Sequence, residues 1–444
     1  MMPAVQTPPG QQRVSTARMT EQSLAEWLAR LEALHPREIE LGLERVAAVA
    51  RRLQLLPVSV PVVTVAGTNG KGSVVGALEA LLTHKGIRTG VYTSPHLLRF
   101  NERIRIGGCE ADDAGIVSAL QAIDVARGDI SLTYFEFATL AGLLLFQREA
   151  VDVVVLEVGL GGRLDAVNIV DPNVAVITSI ALDHQDWLGD SLDAIAREKA
   201  GILRPDIPAV IACSEVPAGL AEAVMASGAS AYWLGEAFGV EPAMQEWDGW
   251  VSGTEGTRRR LPLSQNPALL AQNLYAALQV LECLGYPVSD VEAQAILPAL
   301  QVPGRRQAMI VGGVELVLDV AHNPAAVARL VEFLQQRPCG QKTIAVFSAM
   351  ADKDIPSMLQ LMRGEVDGWF LADQPGNARA ATAAGIAAQL RAAGEGMISV
   401  SRNLRQALAR ARSVAAAGDR LLVFGSFHTV AAAMSWLARE REKA

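Results

Sequence analysis

Cysteine is scarce in this sequence, and its placement excludes two classes of small-site architecture. The 444 residues contain four cysteines, none of them in a Cys-x-x-Cys pair: Cys109, Cys213, Cys283 and Cys339. A disulfide framework or a structural zinc site needs cysteines at matched spacings. We therefore expect free thiols in a reducing compartment.

Long apolar runs and clustered positive charge are also missing. No apolar run approaches the roughly 18 residues that a membrane span needs, and residues 1–18 are polar and proline-rich, unlike a secretory signal. The net charge is −8, and the short basic run Arg258–Arg260 lies in a turn-rich stretch typical of a solvated loop. Nucleic-acid binding draws most of its affinity from clustered cations. These absences predict a cytoplasmic protein with neither a membrane nor a nucleic-acid partner.

Apolar strands alternate with helices along the first part of the chain. Strands that are apolar throughout are typical of a parallel sheet covered by helices on both faces. The pattern predicts strands at 61–66, 89–93, 152–158 and 174–180, and helices at 24–34, 40–54, 112–127 and 134–149, with a further helix ending near 85. Residues 230–262 are expected to form short antiparallel strands, followed by helices at 267–284 and up to 300.

The chain is too long for one typical core, so two domains are expected. The Pro303-Gly304 dipeptide marks the predicted boundary, after which strands at 314–319, 343–347, 368–371 and 420–424 alternate with alanine-rich helices. We predict an α/β protein with a disordered tail (1–19), a P-loop ATPase-like domain with a mostly parallel sheet (20–302) and a smaller Rossmann-like α/β domain (303–444). A monomer is expected.

The strongest local motif is a glycine-rich turn between a strand and a helix, Gly67–Ser73, which we call the phosphate loop. Its glycines let the backbone approach a phosphate closely, and the helix dipole and Lys71 add positive charge. Gly72 separates the lysine from Ser73, which departs from the usual Walker order. A chance glycine-rich turn is the alternative. The motif predicts nucleotide binding without indicating which reaction follows.

Candidate metal ligands lie at or just after the carboxyl ends of three other predicted strands. Ligands of open α/β sheets bind beyond the carboxyl ends of the strands, where this sequence has Ser94, Glu157 and His184. Magnesium prefers oxygen ligands, so the hydroxyl and the carboxylate suit it better than the imidazole. Ser94 could instead be a turn residue before proline, and His184 a helix-capping or solvated group.

Long motifs in this sequence resemble folylpolyglutamate synthases of the Mur ligase superfamily. The resemblance runs from about residue 20 to 440, and residues 132–137 are similar to the bacterial bifunctional form, which is also a dihydrofolate synthase. The motifs that carry it are 67–73, 93–97, 100–104, 156–165, 179–184, 197–202, 303–305, 318–324, 353–354 and 425–430.

The resemblance implies roles for individual residues. It implies ATP contacts at Gly70, Lys71, Gly72, Ser73, Asn273, Arg305 and Asp319, magnesium ligands at Ser94, Glu157 and His184, and a dihydropteroate pocket at Thr133, Tyr134, Phe135, Glu136, Leu164, Asp165 and Ala166. Catalytic roles fall to Lys71, His184 and Lys199, and the last matches a lysine that the family carries as a carbamate. By its local pattern alone, Lys199 would be a solvated helix lysine.

The same resemblance leaves the glutamate site less defined. Its candidates are His322, Ser426 and His428, and both histidines follow predicted strands of the second domain. In the family these strand ends face the cleft, so each histidine could contact glutamate or phosphate. Each could equally be an ordinary residue beside a helix start.

The expected chemistry is amide-bond formation through an acyl phosphate. ATP phosphorylates a carboxylate of dihydropteroate or a reduced folate, and the amine of L-glutamate then displaces phosphate. ATP, two magnesium ions, a monovalent cation and the Lys199 carbamate are the implied cofactors. One rival is a cell-wall amino-acid ligase, which carries a whole domain ahead of the loop, whereas about 66 residues precede Gly67. The other rival is a nucleotide switch or partner ATPase without ligase activity.

Replacing the lysine of the phosphate loop tests the nucleotide site. We expect Lys71→Ala to abolish ATP-dependent turnover and to leave the fold intact, because a lysine in this context faces solvent when ATP is absent. Phosphate release and circular dichroism measure the two quantities. An unfolded variant, or one with near-normal turnover, contradicts the assignment.

Overall fold

The computed structural model describes residues 22–34, 40–242, 246–253 and 256–443. The predicted tail, residues 1–19, lies outside the described residues. Within the described ranges no helix is both long and apolar enough to cross a membrane. The helices and strands form two large sheets and one small sheet.

The first sheet has eight strands in the order β4-β3-β2-β5-β1-β6-β7-β8. The strands β1, β2 and β5–β8 run parallel, whereas β3 and β4 add an antiparallel edge. Their bounds are β1 Val62–Ala66, β2 Thr89–Tyr92, β3 Ile104–Ile106, β4 Cys109–Glu110, β5 Val153–Glu157, β6 Val174–Ile177, β7 Pro208–Ile211 and β8 Ser230–Trp233.

Helices cover both faces of the first sheet, which explains why its strands are apolar throughout. Successive strand residues point to opposite faces, so Val62 and Val63 enter two different core clusters. The predicted parallel sheet is therefore confirmed. The helices are α1 Leu24–Leu34, α2 Glu44–Arg52, α3 Lys71–His84, α4 Asp113–Arg127, α5 Tyr134–Arg148, α6 Gln185–Leu188, α7 Leu192–Ala200, α8 Ala218–Ser227, α9 Ala271–Cys283 and α10 Asp290–Ile296, with 3₁₀ turns at Phe100–Arg103, Ala166–Ile169 and Leu297–Ala299.

A small antiparallel sheet packs beside α9. Strand β10 (Glu246–Ser252) pairs with β9 (Gly239–Pro242), β11 (Arg258–Arg260) and β12 (Leu263–Ser264). The predicted short antiparallel strands are confirmed from residue 239 onward. Residues 230–233 differ, because they form β8 and continue the first sheet in parallel.

The second sheet has six strands in the order β13-β14-β18-β15-β16-β17, and β13 alone among them pairs antiparallel. The predicted boundary falls just before its first strand and stays a prediction. The strands are β13 Gln307–Val311, β14 Val314–Leu318, β15 Thr343–Phe347, β16 Gly368–Ala372, β17 Ile398–Ser401 and β18 Arg420–Phe424; the helices are α11 Pro324–Gln336, α12 Ile355–Leu361, α13 Ala383–Ala392, α14 Leu404–Val414 and α15 Phe427–Lys443.

Strand register in the first sheet brings the candidate groups to one edge. Val65 of β1 pairs with Glu157 of β5, and Ala66 pairs with Ile177 of β6. The turns that follow β1, β2, β5 and β6 therefore leave the sheet side by side. The turn after β2 also reaches the second sheet, because Leu97 packs against one of its core clusters.

Candidate functional site

The phosphate loop leaves β1 at Gly67 and enters α3 at Lys71, as the sequence predicts. Gly67 has φ +144°, and a Cβ atom there would lie 1.9 Å from Thr178 Oγ1, so only glycine fits this approach. The Thr178 hydroxyl donates to the carbonyl of Asn69 (2.7 Å), and the Thr68 N–H donates to the carbonyl of Ser179 (2.7 Å). The turn after β6 thus clamps the loop.

Two lysines donate to the same loop carbonyl. Lys71 Nζ lies 2.9 Å and Lys199 Nζ 3.1 Å from the Gly67 oxygen. Burial and then the charge of Lys71 lower the pKa of Lys199 to about 7. Burial also lowers the pKa of Lys71, although Glu157 and Asp183 oppose the shift.

Both lysines correct an expectation drawn from the sequence. Lys71 is half-buried rather than fully solvent-facing and folds back onto its own loop, where Nζ also reaches the carbonyl of Thr68 at 3.2 Å. Lys199 is not a solvated helix residue, because it is only 4% exposed. Its backbone lies against Gly162, where a Cβ atom would approach the Lys199 carbonyl to 2.8 Å. This close packing aims the side chain at the phosphate loop.

Glu157 is a buried carboxylate at the end of β5, only 4% exposed. Its Oε2 accepts the backbone N–H of Ser94 at 3.3 Å, which links two of the predicted metal ligands. Burial raises the pKa of Glu157, and the positive charges of Lys71 and Arg305 act against the rise. Such a carboxylate is costly to bury without a cation, so its position favours a ligand-binding role.

His184 directly precedes α6 and has left-handed backbone angles, φ +51°. Burial lowers its pKa to about 4, against the opposing charge of Asp183. The imidazole is therefore neutral at neutral pH, which is the form that can bind a metal. Among the described residues, no three His, Cys, Asp or Glu side chains converge on a metal position. An ion held by Ser94, Glu157 and His184 would complete its shell from phosphate oxygens and water, as magnesium commonly does.

A polar cluster around Asp183 joins the two large sheets, and of its members only His322 is among the site residues predicted from the sequence. The Asp183 carboxylate accepts from Lys353 Nζ (2.5 Å) and Asn323 Nδ2 (3.0 Å), with His322 Nε2 at 3.3 Å. Asn323 also contacts the side chain of Asn69 in the phosphate loop at 3.1 Å. Burial would raise the pKa of Asp183, but the hydrogen bond from His322 and nearby positive charges hold it far below its usual range.

Two of the predicted ATP residues reach the phosphate loop from outside the first sheet's turns. A Cβ atom at Gly70 would lie 2.8 Å from the Asn273 side chain, and one at Gly72 would lie 3.7 Å from Arg305 Nη2. Asp319 has a more structural environment, because its two oxygens accept the backbone N–H groups of Arg306 (2.8 Å) and Ala321 (2.7 Å). The structure therefore brings Asn273 and Arg305 to the loop directly.

The two segments of the predicted dihydropteroate pocket meet at Gly159. A Cβ atom on Gly159 would lie 2.6 Å from the Phe135 ring and 3.3 Å from Asp165 Oδ2. Tyr134 adds an edge-on contact with Phe100 at 5.9 Å. The remaining predicted pocket residues lie in the same two segments: Thr133, Leu164 and Ala166.

The pocket carboxylates are engaged by the protein itself. Glu136 accepts the backbone N–H of Thr133 at 2.7 Å in a capping box and pairs with Arg45 at 3.2 Å. Asp165 accepts three backbone N–H groups, those of Gly159, Leu160 and Val167. Burial nevertheless raises the pKa of Asp165 to about 6, against these bonds. Both carboxylates shape the walls of the pocket.

The three glutamate candidates lie in different environments. His322 faces Asp183, with its Nδ1 N–H donating to the carbonyl of Val320 at 2.8 Å. Ser426 is buried, and its hydroxyl contacts Thr429 Oγ1 at 2.8 Å at the start of α15. His428 is exposed on the same helix. Through Asp183, His322 is joined to the turn that follows β6, beside the phosphate loop.

Comparison with known proteins identifies the family. The model of the Mur ligase middle domain matches residues 65–214, and that of the Mur ligase glutamate ligase domain matches residues 304–427. The dihydrofolate synthase/folylpolyglutamate synthase of Escherichia coli is 42% identical over 418 residues, which cover 94% of this chain and 96% of that protein. The chain belongs to the dihydrofolate synthase/folylpolyglutamate synthase family.

Solved structures of this ligase family share the whole fold. The structure of E. coli FolC in complex with DHPP and ADP has a TM-score of 0.88 and 41% identity, covering 95% of this chain and 99% of that chain. A bifunctional folylpolyglutamate synthase/dihydrofolate synthase with Mn, AMPPNP and L-glutamate bound has a TM-score of 0.85 and 43% identity, covering 94% and 98%. The α/β architecture predicted from the sequence is therefore confirmed.

Neutralising Glu157 should separate metal binding from stability. We expect Glu157→Gln to lower magnesium-dependent turnover by about 100-fold, because a cation site loses its buried carboxylate. Since the folded pKa is raised above 4.5, the ionised carboxylate opposes folding as the pH rises through that raised value. The melting temperature in EDTA at neutral pH should thus stay the same or increase.

The exposed Glu149, which pairs with Arg88 at the surface, supplies the matched control. Glu149→Gln should change neither quantity measurably. If Glu157→Gln keeps wild-type kinetics at limiting magnesium, or loses stability without metal, Glu157 is a structural residue.

Proposed function

We propose that this chain is an ATP- and magnesium-dependent ligase that joins L-glutamate to dihydropteroate and to reduced folates. The reaction passes through an acyl phosphate and releases ADP and phosphate. The observation that carries the proposal is the phosphate loop with Lys71 and Lys199 on the Gly67 carbonyl and the buried Glu157 beside it. The family membership supports the same reaction class.

The nucleotide roles rest on the contacts of the phosphate loop. Gly70 and Gly72 leave the backbone open to the triphosphate, and Lys71 exchanges its two loop carbonyls for phosphate oxygens when ATP enters. Ser73 follows at the helix start. Asn273 and Arg305, which crowd Gly70 and Gly72, complete the nucleotide site from two sides, with Asp319 holding the turn beside Arg305.

The metal roles fall to Ser94, Glu157 and His184. Magnesium bound there would supply the positive charge that offsets charge on the transferring phosphoryl group. Glu157, at the end of β5, and the neutral imidazole of His184, in the turn after β6, provide fixed ligands on either side of the phosphate loop that follows β1. Ser94 is held next to Glu157 by its own backbone N–H. A second magnesium ion and a monovalent cation stay predictions, as do the monomeric state and the cytoplasmic location.

The acceptor and the amino acid approach from opposite sides of the phosphate loop. Residues 133–136 and 164–166 hold the pterin, and His322 lies with Lys353 on the glutamate side. Ser426 and His428 line the second domain near the same cleft. We propose that residues 303–444 close on residues 20–302 over ATP and glutamate, with the Asp183 contacts as the point of closure. Closure keeps water away from the acyl phosphate.

Lys199 is expected to carry a carbamate in the active enzyme. A pKa of about 7 leaves much of the amine neutral near physiological pH, and the neutral amine is the form that adds to carbon dioxide. The carbamate reverses the local charge and so favours a cation at the site. Mass spectrometry under native conditions, and electron density beside bound metal, measure the modification.

A cavity variant adds a functional test of the carbamate. Lys199→Ala should lose turnover and recover part of it with added formate or acetate, which replace the missing anion. A bare amine next to two metal ions in a crystal would refute the modification, and so would the failure of small carboxylates to restore any activity.

The two activities are tested by direct comparison of acceptors. With ATP, magnesium and glutamate present, both dihydropteroate and tetrahydrofolate should release phosphate in proportion to product, because the phosphoryl transfer needs only a carboxylate at the γ-phosphate. Reactions without acceptor measure background hydrolysis. Turnover of tetrahydrofolate alone would refute bifunctionality and reduce the function to chain extension.

A further inference from the structure

Arg103 is a buried arginine that the reaction described so far does not use. It ends the 3₁₀ turn Phe100–Arg103 just before β3, and it is 8% exposed. Its guanidinium lies 5.9 Å from the ring centre of Phe100 and 5.6 Å from that of Tyr134. The Nε–H donates to Nδ1 of His96 at 2.8 Å. The side chain thus borders the predicted acceptor pocket.

The charge of Arg103 has no carboxylate partner in the part of the chain that the structure describes. Arg420, the other buried arginine of that part, pairs with Glu315 at 2.8 Å. The carboxylate next to Arg103 in sequence, Glu102, instead accepts the backbone N–H groups of Leu97, Leu98 and Arg99 at 2.7 Å each. A buried cation without an anion is costly, which indicates that a ligand supplies one.

Arg103 lies between the reacting end of the site and the aromatic end of the pocket. Its backbone carbonyl accepts the N–H of Thr93 at 2.9 Å, and Thr93 precedes the candidate metal ligand Ser94. Its guanidinium, in contrast, reaches Tyr134 at the start of α5. An acceptor that extends from the pocket to the metal site would lie next to Arg103, so the guanidinium can bind a group in the middle of the acceptor.

We propose that Arg103 binds the second carboxylate of acceptors that already carry a glutamyl group. The inference rests on the proposed function and names the residue that distinguishes its two acceptors. Dihydropteroate has a single carboxylate, which must lie at the phosphoryl group. A folate places its γ-carboxylate there, and its α-carboxylate then branches off a few bonds earlier, back toward the pocket.

The chemistry of the side chain suits this ligand. A guanidinium can give a carboxylate two parallel N–H bonds, which a lysine cannot. The bond to His96 fixes Nε and leaves the two terminal nitrogens for the ligand, and the rings of Phe100 and Tyr134 lie beside the guanidinium. The Nδ1 atom of His96 accepts the bond from Nε at 2.8 Å.

The test compares acceptors with and without the second carboxylate. For Arg103→Met, kcat/KM for tetrahydrofolate should fall by roughly 10- to 100-fold, mostly through KM, because a charged hydrogen bond is lost. The value for dihydropteroate should change by less than about 3-fold, within the range of an ordinary substitution. Arg103→Lys keeps the positive charge but cannot donate two parallel hydrogen bonds, so kcat/KM for tetrahydrofolate should be only partly restored.

A substrate analogue makes the test independent of protein folding. Wild type should use the α-carboxamide of tetrahydrofolate as poorly as Arg103→Met uses tetrahydrofolate, and Arg103→Met should no longer distinguish acid from amide. Arg99→Met, an exposed arginine in the same turn (62% side-chain exposure), is the matched control and should leave all ratios unchanged.

The outcomes separate the proposal from the function on which it rests. Equal losses for both acceptors in Arg103→Met, or a wild type that accepts the amide as readily as the acid, would overturn the role of Arg103. A wild type that glutamylates neither acceptor would instead overturn the proposed function. If the wild type glutamylates tetrahydrofolate but not dihydropteroate, the comparison of tetrahydrofolate with its α-carboxamide still decides the role of Arg103.

Discussion

The rest of the site depends on one interaction: two lysine ammonium groups donate to the same backbone carbonyl oxygen, that of Gly67. The two donors are Lys71 and Lys199, and Lys199 is buried whereas Lys71 is half-buried. Burial, and then the charge of Lys71, lowers the pKa of Lys199, and two positive charges this close together favour anions nearby. Glu157 and Asp183 supply part of that charge, and a triphosphate would supply the rest. The glycines, the buried strand ends and the clamp from Thr178 all serve to hold this arrangement.

Most of the fold could be predicted because the buried strands are apolar along their whole length. Val153–Glu157 and Thr343–Phe347 are covered on both faces, so burial alone selects their residues. The strands that the sequence did not indicate lie mainly at or near sheet edges. Ile310 in β13 is largely exposed, and β17 carries serines in a half-buried strand. These strands are stabilised by pairing with a neighbouring strand, and the local sequence pattern does not indicate which strand that is. The same holds for β8, whose partner β7 decides its direction.

The residues of the candidate site likewise fall into two groups: those that the local sequence indicates and those that only the packing of distant segments brings together. Lys71 could be located from sequence because its strand–turn–helix motif fixes its position, and Glu157 could be located because it is a carboxylate at the end of an apolar strand. The burial of Lys199 could not, since it depends on the close approach of Gly162 to α7. Asp183 and Lys353 are 170 residues apart and meet only when both sheets are assembled. For Glu136 and Asp165 the sequence indicates a ligand contact, whereas in the structure their carboxylates accept backbone N–H groups and stabilise turns.

The packing of Leu97 against the second core makes the two halves of the molecule interdependent in binding. Leu97 stands three residues after Ser94, and it is inserted among side chains that belong to the other sheet. Any displacement of that sheet is therefore transmitted to the turn that bears Ser94. A ligand that moves the second sheet inward would therefore change the affinity of the Ser94 turn for a second ligand. By thermodynamic reciprocity, the second ligand would change the affinity for the first by the same factor. The Leu97 contact is therefore a physical link through which binding beside the second sheet and binding at the Ser94 turn would affect each other equally.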